Sequence, residues 1–155
     1  MNDQNFTTAF TVDQTPKQVF DAINNVRGWW TENLEGSTEQ LNDEFSVRFW
    51  DVHYSKHKLI AVIPDAKVVW LTTDSQLNFI EDTTEWNGTQ IIFDITTKDN
   101  QTEVRFTQIG LVPQIACYKD CSNAWTGYIQ DSLQKLITTG VGEPTKKEDQ
   151  LNRQK

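Results

Sequence analysis

The stretch CYKDCSNAWTGYIQDSLQKLITTG, residues 117–140, decides how the rest of the chain is read. It is expected to form one long helix. At about 100° per residue, Tyr118, Cys121, Trp125, Ile129 and Leu136 project to one side. Ser122 and Ser132 fall in the same sector, Cys117, Tyr128 and Leu133 flank it, and Asn123, Gln130 and Gln134 lie opposite. The stripe is graded. Its C-terminal half is aliphatic (Ile129, Leu133, Leu136, Ile137), which suits close packing on a sheet. Its N-terminal half mixes Tyr118, Cys121, Ser122 and Trp125. That mixture suits the wall of a cavity that is mostly apolar with a few orienting polar groups. It suits a plain aromatic core equally well, and burial of Trp125 contributes on the order of 3 kcal/mol in either case.

A helix with such a stripe needs a sheet to cover, and the preceding sequence supplies one. FTTAFTV (6–12) alternates as a strand does, with Phe6, Phe10 and Val12 on one face. In DQTPKQVFDAIN, Thr15 is placed to cap a helix, Pro16 stands at its first position, and Val19, Phe20 and Ile23 form its buried side. NVRGWWTENLEG reads as a short helical turn broken at Gly28. Phe45, Val47 and Phe49 share one face of a strand running to Val52, and are expected in the core. HKLIAVIPD and AKVVWLTTDSQL follow as a strand pair, then the acidic connection NFIEDTTEWNG. TQIIFDITTKDNQTEVRFTQIGL is the clearest hairpin, with Ile91, Phe93 and Ile95 facing one way, a turn at Lys98–Gln101, and Val104 and Phe106 returning. Strands linked by hairpins and helices segregated to the ends indicate α+β. We expect a single domain over residues 1–140 and a polar, frayed tail over 141–155.

Composition narrows the partners. The chain has 155 residues, 22 acidic against 14 basic, and a formal net charge of -8. No Lys/Arg cluster offers the basic stripe that nucleic acid or an anionic membrane surface requires. No apolar run approaches the roughly 20 residues of a membrane span. The first ten residues lack the charged and apolar regions of a secretory signal, and the two cysteines do not make a disulfide framework, so a cytoplasmic setting is expected.

Three stretches carry a family resemblance. FTVDQTPKQVFDAINNVRGWW is similar to the first strand, Pro-initiated helix and Trp-Trp close of the SRPBCC superfamily, also called START-like or birch-pollen-allergen-like. RFWDVHYSKHKLIAVIPDAKVVWLTTDS resembles its central hairpin. GTQIIFDITTKDNQTEVRFTQIGLVP with CYKDCSNAWTGYIQDSLQKLI resembles its last hairpin and lid helix. The branch most resembled is that of the activator of heat-shock protein 90 ATPase, over roughly residues 5–140. The resemblance implies a helix-grip fold, a bent sheet around the C-terminal helix with a cavity between. It also implies binding of a small hydrophobic ligand. The roof would be Tyr118, Cys121 and Trp125, the floor Trp70 and Phe93, and the entrance Trp29 or Trp30. Adjacent residues on one helical turn cannot both face a core, so one tryptophan of that pair is expected to be buried and the other near the mouth. Regulation of a chaperone ATPase through an exposed surface is the alternative, and a cyclase- or hydrolase-type enzyme a third reading. Oligomeric state is left open.

The residues themselves give little catalytic chemistry. Cys121 lies in the first turns of a helix, where a thiol pKa falls, but it would need a base such as His53 or His57. Cys117 and Cys121 with Asp51, His53 and His57 offer half a zinc site at most, since histidines four apart on a strand are ~13 Å apart. Glu81, Asp82 and Glu85 are read as surface charge, and so are Glu103 and Arg105. We therefore assign no catalytic residue, no metal and no cofactor.

Overall fold

The computed structural model describes residues 5–50, 52–78 and 80–146. One sheet is built from β1 (Phe6–Val12), β2 (Leu34–Gly36), β3 (Glu44–Phe49), β4 (His53–Ile63), β5 (Lys67–Leu77), β6 (Gln90–Lys98) and β7 (Gln101–Ile109). The spatial order is β1-β7-β6-β5-β4-β3-β2, and every pairing is antiparallel. Two register shifts between β4 and β5, at Lys56/His57 and Leu59/Ala61, bend the sheet as bulges do. Between β1 and β2 lie α1 (Pro16–Asn24) and a 3-10 turn at Val26–Gly28. The last helix, Tyr118–Thr139, comprises α2 (Tyr118–Thr126), a π-helical segment (Gly127–Leu133) and α3 (Gln134–Thr139). This is the α+β helix-grip arrangement. No helix among the described residues is long and apolar enough to cross a membrane.

Local chemistry accounts for most of these boundaries. Thr15 accepts from the Gln18 amide at 3.1 Å while the Gln18 side chain accepts from the Thr15 amide at 2.9 Å, a reciprocal cap with Pro16 just inside. The β6–β7 turn holds Asp99 and Asn100 at φ 52° and 69°, a conformation these residues tolerate and a two-residue hairpin requires. It sets Phe93 opposite Phe106 and Ile95 opposite Val104, all buried. The strand expected to run to Val52 stops at Phe49, because Trp50 takes φ 53° and turns the chain into β4.

The last helix departs from a uniform α-helix. Cys117, Cys121, Trp125, Ile129, Leu133 and Ile137, each four apart, are all buried. Four residues overshoot an α-helical turn by about 40°, so five such steps would carry Ile137 round to the solvent side. The wider i→i+5 turns of the π segment reverse that drift. Leu136, expected on the stripe, is half-buried, and Ile137 takes the buried position. Side chains on both flanks hold the π segment. Gln130, expected to face away, donates to Thr8 Oγ1 at 2.8 Å and the Ala9 carbonyl at 2.9 Å. Ser132 donates to the Trp29 carbonyl at 2.6 Å.

The tail also differs from expectation over its first residues. Gly140 closes the helix at φ 88°, and the chain then turns back. The Thr145 amide donates to the Trp30 carbonyl at 3.0 Å, and Glu32 donates to the Thr145 carbonyl at 2.9 Å. The backbones approach closely here: a Cβ on Gly142 would lie 2.4 Å from the Gly28 carbonyl oxygen. Low apolar content did not fray this stretch because main-chain pairing with residues 30–32 holds it. Residues 147–155 lie outside the described residues.

Candidate functional site

The space beneath the last helix divides in two. On the side of β5, β6 and β7 it is solid. Trp29 lies 6.3 Å from Trp70 and 5.8 Å from Phe93, measured between ring centroids. Phe93 meets Phe106 at 5.4 Å, and Phe106 meets Trp125 at 4.5 Å. Towards β3 and β4 the filling stops and a cavity of about 190 Å³ remains. Five rings form a collar around it: Trp125 to Trp86 at 5.9 Å, Trp86 to His53 at 4.9 Å, His53 to Phe49 at 5.0 Å, Phe49 to Trp30 at 5.6 Å, and Trp30 back to Trp125 at 4.8 Å. Cys121 and Tyr128 complete the wall, and the exposed residues Asp120 and Ala124 form its outer rim.

Of the residues expected to line a pocket, Trp30, Cys121 and Trp125 border this cavity. Trp29, Trp70 and Phe93 are fully buried in the solid half, and Tyr118 is half-buried away from the wall. The expectation that only one of Trp29 and Trp30 could be buried is corrected. The 3-10 turn ends at Gly28, before both residues. Their indoles, 6.2 Å apart and 19° from parallel, stack inward together, at 0% and 2% exposure. The Trp29 indole N–H donates to the Ile23 carbonyl at 3.1 Å. Trp30 is fixed from the other side by Thr145.

Four wall residues were not expected there. Phe49 was read as plain core, Tyr128 as a flank, Trp86 as part of an acidic connection, and His53 as a candidate base or part of an incomplete zinc site. Glu85 explains Trp86. Its carboxylate, read as surface charge, accepts from the Ala116 and Cys117 amides at 2.9 and 3.2 Å, where the helix leaves N–H groups unpaired. That clamp brings the connection against the helix. The Trp86 indole N–H then donates to Cys117 Sγ at 3.3 Å.

A continuous buried hydrogen-bond chain links two parts of the wall. His53 Nε2 lies 2.9 Å from Ser55 Oγ, which lies 2.8 Å from His57 Nε2. His57 Nδ1 is 3.1 Å from Thr72 Oγ1, which is 3.3 Å from Thr89 Oγ1. Gln108 donates to Thr89 Oγ1 at 3.1 Å, and the Trp125 indole N–H donates to Gln108 Oε1 at 2.8 Å. Ser55, His57, Thr72, Thr89 and Gln108 are all buried. The signal was present in HYSKH, which places His53, Ser55 and His57 two apart, hence on one strand face. Burial pushes both imidazoles down to about 3, and the neighbouring His53 adds to this at His57. Both rings are therefore neutral near pH 7.

Cys121 does not have the character of a nucleophile. The hydrogen bond it shares with Cys117, then burial, pushes its thiol pKa up, while the same bond holds Cys117 below its ordinary value. The proton thus stays on Cys121. Both cysteines are free thiols. Among the described residues no group of three or more His, Cys, Asp or Glu side chains could hold a metal ion, and Asp51 lies outside them.

Comparison with solved structures places this architecture. The Aha1 dimer from Colwellia psychrerythraea matches with a TM-score of 0.72 and 23% identity, covering 89% of this chain and 98% of that one. DynU16, from the dynemicin biosynthetic locus, matches at 0.65 and 14%, covering 91% and 49%. CalU16 from Micromonospora echinospora matches at 0.62 and 8%, covering 88% and 77%. The chain shares their fold. No protein-family model matches the sequence, and no curated protein matches it. The helix-grip architecture is therefore common ground with these proteins, and the collar with its polar chain is read from this chain's own residues.

Proposed function

We propose that the chain binds a small hydrophobic or aromatic ligand in the cavity between the sheet and the last helix. One observation carries this reading: a closed collar of five rings surrounds about 190 Å³ that the protein's own side chains leave unfilled. The hollow opens to solvent past Asp120 and Ala124, and what sets it apart is a wall made of large rings that elsewhere pack against one another. The lining is mostly apolar, as ligand sites are. Its size bounds the guest. An apolar cavity of about 150 Å³ takes benzene, and drug-sized sites start at about 300 Å³. The guest is therefore one or two rings in size. Trp30, Cys121 and Trp125 bind it in this reading, with Phe49, His53, Trp86 and Tyr128. The free thiols of Cys117 and Cys121 fit a reducing, cytoplasmic setting.

The test uses the tryptophans of the collar as reporters. Naphthalene is titrated while intrinsic fluorescence is followed, in the natural chain and in Ala124→Phe, which adds a ring at the exposed rim without touching the core. Saturable quenching in the first and its loss in the second are expected. A linear, unsaturable response in the natural chain would sink the reading.

A further inference from the structure

The hydrogen-bond chain behind the collar has a direction, and the direction says what kind of polar atom the guest carries. An indole N–H only donates, so Gln108 Oε1 must accept from Trp125, and the Gln108 amide N–H is left to donate to Thr89. The Thr89 hydroxyl donates to the Trp86 carbonyl at 2.7 Å and is directed at Thr72 Oγ1 at 3.3 Å. The Thr89 proton is thus shared in a forked bond with Thr89 as donor at both contacts, and the partner left for the Thr72 proton among the described residues is His57 Nδ1 at 3.1 Å. A buried hydroxyl left without an acceptor is costly, so Thr72 donates there. A neutral imidazole that accepts at one nitrogen donates at the other. His57 Nε2–H then donates to Ser55 at 2.8 Å, and the Ser55 hydroxyl donates onward to His53 Nε2 at 2.9 Å. The same rule puts the proton of His53 on Nδ1. That atom has no hydrogen-bond partner among the described residues, and its ring stands in the cavity wall.

We propose that His53 Nδ1–H is the recognition donor of the cavity, and that the guest is an uncharged one- or two-ring aromatic bearing a hydrogen-bond acceptor such as a ketone or quinone carbonyl. This rests on the reading of the cavity as a ligand site and specifies its chemistry. Charge supports the neutral class. The rim carries Asp120, the protein is strongly acidic overall, and among the described residues no lysine or arginine lines the cavity to pair with an anionic guest. Among the described residues the apolar collar offers a cation no buried carboxylate. The relay also gives Thr72 and Ser55 a shared role as positioning residues, since each fixes the tautomer of the histidine it donates to.

The experiment compares acetophenone with α-methylstyrene, its near-isostere with a methylene in place of the oxygen, and with phenol as a strong donor. Affinity is read from tryptophan quenching. Acetophenone is expected to bind about tenfold more tightly than α-methylstyrene, because the hydrocarbon leaves the His53 donor unpaired. Ser55→Ala, which frees the His53 tautomer, should shrink that preference, and His53→Phe should abolish it. Equal binding of the first two compounds would overturn the acceptor assignment and leave the cavity reading standing. Tighter binding of phenol would reverse the donor direction and overturn it too. Failure of all three to bind would sink both. Histidine nitrogen NMR on the unliganded natural chain tests the assignment without any variant. Proton on Nδ1 of His53 and on Nε2 of His57 is expected, and the opposite pair of tautomers would refute the relay.

Discussion

The two halves of the space under the last helix are lined by similar residues and end in different states. Towards β6 and β7, rings interlock: Trp29, Trp70, Phe93 and Phe106 meet at centroid distances of 5.1–6.3 Å. Towards β3 and β4, rings of the same kind stand around a gap. The difference lies in the strand behind them. Facing the solid half, β6 and β7 present Ile91, Phe93, Val104 and Phe106 inward. Facing the gap, β4 presents His53, backed by the buried Ser55 and His57. A polar row must satisfy its own hydrogen bonds, which fixes each ring and stops it from tilting in to fill space.

Truncating one ring on each side gives the largest contrast. Phe93→Ala removes a ring gripped on every face and should cost about 5 kcal/mol, at the top of the range for such changes. Phe49→Ala removes one that already borders empty space and should cost nearer ~3 kcal/mol. Urea denaturation of both variants checks this. An equal or larger loss at Phe49 would mean that the collar is packed as tightly as the core.

Acid should weaken the polar half selectively. His57 ionises near 6.5 when unfolded and only near about 3 when folded. Between those values the unfolded chain holds the extra proton, so stability is complete above pH 6.5 and declines as pH falls. The slope from His57 is about 1.4 kcal/mol per pH unit, or ~2 kcal/mol by pH 5. His57→Gln should remove its share of that slope and leave the share that His53 contributes over the same range. An unchanged slope in the variant would place the acid sensitivity elsewhere.

Glu85→Gln should have the smallest effect, about 1 kcal/mol, from the charge withdrawn at the helix start. Its use is as a discriminator. Trp86 hangs on the same clamp, so the variant should enlarge the quenching of Trp86 by acrylamide while the solid half stays shielded. Protection that is unchanged throughout would show that Trp86 needs no clamp.

Elements set by local chemistry were legible in the sequence. The Thr15–Gln18 cap, the Asp99–Asn100 turn and the alternation of β6 and β7 are each written within a few residues, and so was the α+β class they add up to. The last helix was legible as a helix and illegible in detail. Its face changes at the π segment, whose anchors, Thr8, Ala9 and Trp29, lie more than a hundred residues away in sequence. The wall of the cavity was half legible for the same reason. Trp30, Cys121 and Trp125 announced themselves by size and spacing. Trp86 did not, because its position depends on a carboxylate reaching across to another element's backbone. His53, Ser55 and His57 were readable as polar residues on an inward strand face, a pattern that matches no metal-ligand spacing.

The docking of Thr145 beneath Trp30 has a temporal consequence. Contacts between segments so far apart along the chain form only after the intervening polypeptide has been ordered. On a ribosome, Trp30 would wait for more than a hundred further residues to emerge before its final support arrived. Sheet and helix can assemble first, and the collar would close last, so competence to hold a guest would mark the end of folding.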